Sequence, residues 1–230
     1  MGTQEIVDRL FPGMQIAATD GFDFALQFDC DALADPAAFL VNVSQIKRNL
    51  FGGPLDRAFT ALQAKGQASP AVMVLPYRVN EAMFVCCTPT KVVVVFQVDF
   101  ADETDKAVAK VFLQEFVEAQ RTVRTAPPVS YTKEPPGELA GTSFNFKLDA
   151  AGFISFALEE RHVKGAAKEK AITLLTGFRN YLHYHIKCSK TYLHMRMRKR
   201  VVGWLQVLNR ARPEIETEKK TAAGKTFTRK

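Results

Sequence analysis

From Ala166 to Arg212, forty-seven consecutive positions pass without a proline, and the only internal glycines are Gly177 and Gly203. Apolar residues recur through the segment at steps of three and four: Ile172, Leu175, Phe178, Leu182, Ile186, Leu193, Met197, Val201, Trp204, Leu205 and Leu208. That is the period of one helix face. At 1.5 Å rise per residue such a helix is roughly 70 Å long. A compact globule of this chain length has a radius of gyration of only about 17 Å. The chain is too small to wrap such a helix, so the apolar stripe, Trp204 included, has to find cover on a second molecule. The alternative is a kink near Lys187–Ser189 that folds the helix back.

Charge divides the chain in the same place. Residues 161–230 carry 18 Lys and Arg against 4 Asp and Glu, whereas residues 1–160 carry 13 against 20. The overall charge of +7 therefore belongs to the helix and tail, and the body is mildly acidic. Such asymmetry marks a polyanionic partner: nucleic acid, anionic lipid or an acidic protein surface. A merely solvated basic face is the plainer reading. Against it, His183, Lys187, Lys190, His194 and Arg198 fall in one strip at 100° per residue, beside the apolar stripe.

At 230 residues and 47% hydrophobic content the chain can bury one sizeable core or two small ones. The N-terminal MGTQEIVDRLFPG holds no apolar run fit for a signal peptide and lacks the Ser or Thr of a myristoylation site. No stretch approaches 18 uncharged apolar residues, so no membrane span is expected. Cys30, Cys86, Cys87 and Cys188 show no framework spacing and read as reduced thiols of a cytosolic protein.

Along the body, residues 14–18 and 22–29 read as a hairpin turned at Thr19-Asp20-Gly21. A helix opens at Pro36 and runs to Leu50; Gly52-Gly53-Pro54 breaks it before a second helix over Leu55–Ala64. Strands follow at 71–78, 81–87 and 91–99, the last apolar on both faces and so central or doubly covered. Asp102 caps a helix that buries Val108, Val111, Phe112, Leu113, Phe116 and Val117. A proline-rich connection over 126–139 leads to a strand at 152–159 and the long helix. Meander strands without a βαβ rhythm give an α+β fold of antiparallel sheets flanked by helices, with a long C-terminal basic amphipathic helix.

Nothing in the sequence marks an enzyme. GxGxxG, GxxxxGK[ST], GxSxG and HExxH are all absent. His183 and His185 lie about 200° apart on a helix and cannot share an ion; His185 with Cys188 supplies two ligands and no closed shell. His194 reads as a hydrogen-bond donor on the basic strip. Glu159-Glu160 sits beside Arg161 as a solvated pair, and Cys188, between lysines, lacks a positioned base. The strongest rival is a basic-helix nucleic-acid-binding protein, with Phe178, Tyr181, Tyr184 and Tyr192 stacking bases. Against it, the apolar stripe continues beneath the basic patch, and Trp204, Leu205 and Leu208 ask for a protein surface. A helix lying on a membrane is a further alternative, although the stripe is narrow for it and its length suits a helix pair better.

The run FRNYLHYHIKCSKTYLHMRMR, continuing through VLNRARPE to GKTFTRK, closely resembles subunit 2, the p34-type subunit, of the actin-related protein 2/3 complex. So do VFLQEFVEAQR, TAPPVSY and EPPGEL within residues 111–139, and more weakly SQIKRNLF at 44–51. The resemblance covers most of residues 90–230. It implies a non-catalytic scaffold and filament-binding subunit that acts in nucleation of branched actin filaments by gripping the side of the mother filament. ATP then belongs to the actin-related subunits, and this chain has no cofactor and no metal. The resemblance implies pairing with the complex's fourth subunit through Met197, Val201, Trp204, Leu205 and Leu208. It implies contact with the acidic filament through Phe178, Arg179, His183, Lys187, Lys190, Arg196 and Arg198. Its setting is the cytoplasm, the actin cytoskeleton and cell projections.

The family fold implied is two α/β domains followed by the helix. Residues 1–35 then read as a remnant of the first domain packed on the second, 36–160 as the second, 161–213 as the helix and 214–230 as a basic tail. Gln206 stands where a lysine is expected, and Glu214, Glu216 and Glu218 end the basic run.

Overall fold

The computed structural model describes residues 3–22, 24–64, 72–123, 125–147, 149–211, 219–220 and 226–227. The chain divides into two units, Met1–Lys187 and Cys188–Lys230.

The first unit is built on a five-stranded antiparallel sheet of order β3-β4-β5-β7-β6. Its strands are β3 (Met73–Arg78), β4 (Glu81–Cys87), β5 (Lys91–Val98), β6 (Val129–Thr132) and β7 (Gly152–Glu159). The Val-rich β5 is central, with Val94 opposite Val85 on β4 and Phe156 on β7. One face of the sheet, with Met83, Val85, Val92, Val94, Phe96, Ile154 and Leu158, packs against the helices. These are α3 (Ile46–Gln63), α4 (Glu103–Gln120) and the first half of α5 (Ala166–Arg210). The other face, with Phe84, Val93, Val95 and Phe153, is covered by Leu139, Phe144 and Phe146 from the connection between β6 and β7. Coverage on both sides accounts for a strand without hydrophobic alternation.

Before the sheet come α1 (Thr3–Leu10), a short ladder of β1 (Gln15–Ile16) with β2 (Ala25–Leu26), and α2 (Pro36–Ser44). The expected hairpin is thus present as two paired residues per strand. The amide of Phe22 donates to the Thr19 carbonyl at 3.0 Å, closing the turn where it was expected. Ile6, Val7 and Phe11 are buried, and the Phe11 ring meets Phe39 of α2 edge-on at 6.0 Å. Asp35 caps α2 by accepting from the Ala38 amide at 3.0 Å, with Pro36 in the first turn.

The expected break at Gly52-Gly53-Pro54 does not occur. α2 ends at Ser44 with Gln45 as its cap, and α3 runs through the triplet with Gly52, Gly53, Pro54 and Leu55 all buried. An interior proline costs a helix about 3 kcal/mol, so packing holds α3 together here. Gly52 shows how: a Cβ on it would lie 2.6 Å from Ile172 Cγ2 of α5. The glycine is a close-approach residue between two helices, read in sequence as a breaker.

Two further expectations shift. Val111 of α4 is exposed, and the buried side runs through Asp105, Lys106, Ala109 and Leu113. The proline-rich connection holds a strand, β6, whose pairing with β7 opposes Tyr131 to Ile154.

α5 is helical from Ala166 to Arg210 with no break at Lys187–Ser189. In the first unit it buries Ile172, Leu175, Phe178, Leu182 and Ile186, each worth roughly 1.5–3 kcal/mol relative to exposure. In the second unit every residue from Thr191 to Ala211 is exposed, and β8 (Lys219–Lys220) pairs with β9 (Thr226–Phe227).

Candidate interaction surfaces of the long helix

The first unit fixes its part of α5 with ion pairs as well as apolar packing. Glu81 opens β4 and is buried; Arg179 Nε donates to its Oε2 at 2.8 Å. His183 Nε2 lies 3.6 Å from Glu81 Oε1, too long for a hydrogen bond, and its ring lies against Phe100 at 4.4 Å, tilted by 31°. Burial alone would push the Glu81 carboxyl up. His183 and Arg179 together outweigh that and hold it below the usual carboxylate range; the shorter guanidinium bond is the firmer contact. One turn on, Lys187 Nζ donates to the buried Asp105 carboxylate in the first turn of α4. Asp105 also gives its amide to the capping Asp102 at 2.9 Å. Nearer the start of α5, Arg48 of α3 reaches Glu169 Oε2 at 2.6 Å and Thr173 Oγ1 at 3.0 Å.

Phe178 is a core residue, 8% exposed, with its ring 5.1 Å from Phe96 and 5.0 Å from Phe156. The residues expected at the filament thus divide. Phe178, Arg179 and His183 are engaged in the body, and Lys187 is exposed but paired. Glu81 and Asp105 were not singled out in sequence, because pairing across 98 and 82 positions leaves no local signal.

In the second unit, Met197, Val201, Trp204, Leu205 and Leu208 are each more than half exposed, Trp204 at 68%. The apolar residues expected to face a partner helix are thus left largely exposed by the described residues of their own unit. Arg196 and Arg198 are exposed, and the Arg196 guanidinium sits over the Tyr192 ring, 5.7 Å from its centroid, a cation–π contact worth about 0.5–1 kcal/mol at an exposed site. Tyr192, Arg196, Lys199, Arg200, Gly203 and Trp204 line a shallow depression. Lys199 and Arg200 were not singled out in sequence, although they follow Arg196 at the spacing of one helix face.

No chemistry converges here. Among the described residues no three His, Cys, Asp or Glu side chains gather as a metal site, and no helix is long and apolar enough to cross a membrane. Burial pushes the Cys86 thiol up to about 11 and raises Cys87 as well, so neither is a ready nucleophile.

Comparison with known proteins agrees with this picture. Residues 1–215 match the family described as Arp2/3 complex, 34 kD subunit p34-Arc. The chain is 36% identical over 251 residues to the actin-related protein 2/3 complex subunit 2 of Schizosaccharomyces pombe, an alignment covering 99% of this chain and 79% of that relative. It is 35% identical over 218 residues to the same subunit of Dictyostelium discoideum, covering 93% of this chain and 73% of that relative. These matches define the class of protein, a non-catalytic subunit of an actin-related assembly. The chain belongs to the p34-Arc family of Arp2/3 complex subunits. Membership makes the chain a subunit of the actin-related complex, in place of the nucleic-acid-binding protein that was its rival in sequence.

Proposed function

We propose that this chain is both a core scaffold of its complex and the subunit that grips the side of the mother filament during branched nucleation. The observation that carries the reading is the uncovered run of Met197, Val201, Trp204, Leu205 and Leu208, interleaved with Arg196, Arg198, Lys199 and Arg200. The apolar set suits a long helix of the fourth subunit, with knobs at three- and four-residue spacing. The cations suit the acidic flank of a filament, where complementary charge speeds association and fixes register.

Within the filament-contact set, Lys187, Lys190, Arg196 and Arg198 touch actin, while Phe178, Arg179 and His183 hold their stretch of α5 in place. The place of action is the actin cytoskeleton of the cytoplasm, cell projections included.

The test of the scaffold half is Trp204→Asp with Leu208→Asp, followed by recovery of the complex through a tag on another subunit. Both side chains are exposed in the chain alone, so the variant folds as wild type and is missing from the recovered complex. Wild-type incorporation would overturn the reading.

A further inference from the structure

A groove of about 730 Å³ opens in the first unit where α3, β3 and α5 meet, a size within the range of about 300–1,000 Å³ usual for ligand sites. Its apolar walls come from Leu50, Phe51 and Pro54 of α3, Leu75 of β3, Phe96 of β5 and Phe24. The charge on it is one-sided. Among the described residues no Asp or Glu lines the groove, while Lys47, Arg78 and Arg179 do. Arg179 is neutralised by Glu81 at 2.8 Å. Lys47 and Arg78 are exposed and have no ion pair among the described residues.

The start of α3 adds to this positive charge. Ile46 and Lys47, its first two residues, both line the groove, and no side chain caps that end. The leading amides and the dipole of a helix favour an anion there. Burial pushes the Tyr77 hydroxyl above its ordinary 10, so it stays neutral and brings no opposing charge. Two unpaired cations beside a helix start suit a phosphate monoester, which carries about −1.5 to −2 at neutral pH. The walls suit hydrocarbon better than a nucleoside base, because Thr176 already gives its hydroxyl to the carbonyls of Ile172 and Thr173. A saturated or singly unsaturated chain needs no such partner.

We propose that this groove binds a lysophosphatidate. Its single acyl chain lies against Phe51, Leu75 and Phe96, and its phosphate sits between Lys47, Arg78 and the start of α3. The site shares no residue with Met197, Val201, Trp204, Leu205 and Leu208, or with Arg196 and Arg198, so it stands without the helix pairing and the filament grip proposed above.

The test is isothermal titration of the purified complex with oleoyl lysophosphatidate below its micelle concentration, beside oleate and monooleoylglycerol as controls. The expected result is saturable binding of lysophosphatidate about tenfold or more tighter than of either control. A complex carrying Lys47→Glu with Arg78→Glu should lose that advantage. No saturable binding, equal binding of the three lipids, or undiminished binding by the variant would overturn the proposal. Should the variant fail to assemble, a lysophosphatidate with a photoreactive group in its acyl chain decides on the native complex. Labelling of the peptides that hold Phe51 or Leu75 supports the site; labelling elsewhere, or none, refutes it.

Discussion

Arg179 of α5 and Glu81 of β4, 98 positions apart, form a 2.8 Å ion pair in which the carboxylate is almost wholly buried and the guanidinium largely so. The pair fastens α5 to the sheet beside the apolar contacts of Phe178 and Leu182. Removing either partner leaves a charge without its counterion, and the cost of such a loss exceeds the net worth of the pair itself.

Glu81→Gln is therefore expected to lower the unfolding free energy of the chain by about 3 kcal/mol at neutral pH, read as a shift in urea midpoint. The pH profile gives an independent check. The folded Glu81 carboxyl lies below its ordinary 4.5, so its contribution is complete above that value. It fades as pH falls through the lower, folded value. Wild type should lose its advantage over Glu81→Gln in that acid window. A difference that stays constant as pH falls below 4.5 would contradict the assignment.

The two close-packed glycines should respond to alanine in the opposite sense from an open helical one. Gly52→Ala drives a methyl into Ile172 Cγ2 at 2.6 Å, and overpacking of this kind costs about 1–3 kcal/mol. Gly152→Ala is worse: its φ is +139° and its Cβ would lie 2.7 Å from the Thr132 carbonyl, so a loss of about 3 kcal/mol or more is expected. Gly203→Ala meets nothing and should raise helicity, by up to about 1 kcal/mol. Circular dichroism melts of the three variants read the signs directly.

Thiol labelling at pH 8 should separate the cysteines. Cys30 and Cys188 are exposed and react first with iodoacetamide; Cys86 is buried, and burial places its thiol near 11, leaving about one molecule in a thousand as thiolate. Peptide mapping that found Cys86 alkylated as fast as Cys30 would refute its burial beside Phe84 and Leu139 on the second face of the sheet.

Lys187 and Arg196 stand in different circumstances although both were expected at the filament. Lys187→Glu sets a second carboxylate against the buried Asp105 and should lower the melting temperature of the chain. Arg196→Glu gives up only an exposed contact with Tyr192 and should leave it unchanged within about 1 °C. Equal melting temperatures for the two variants would show that the Asp105 pair contributes nothing to folding.

Elements with strong periodicity were legible in the sequence: β5 as a doubly covered strand, α4 with its Asp102 cap, and α5 as one helix. What escaped depended on tertiary partners. Gly52-Gly53-Pro54 reads as a breaker until Ile172 stands opposite; Val129–Thr132 reads as a connection until β7 pairs with it. The α5 stripe seemed uniform, but only Ile172 to Ile186 is covered by the body, and the change falls where the unit ends and not in residue type. In the same way Phe178, expected at the filament, has its ring in the core, while Lys199 and Arg200 beside Gly203 carry exposed charge at a helical spacing.

The filament grip is tested most directly by co-sedimentation of purified complex with preformed actin filaments at moderate salt, comparing wild type with Arg196→Glu plus Arg198→Glu. Both arginines are exposed, so the variant should retain every subunit while its affinity for filament sides falls at least tenfold. An intact variant complex that sediments like wild type would contradict the assignment of this helix as the filament-binding surface.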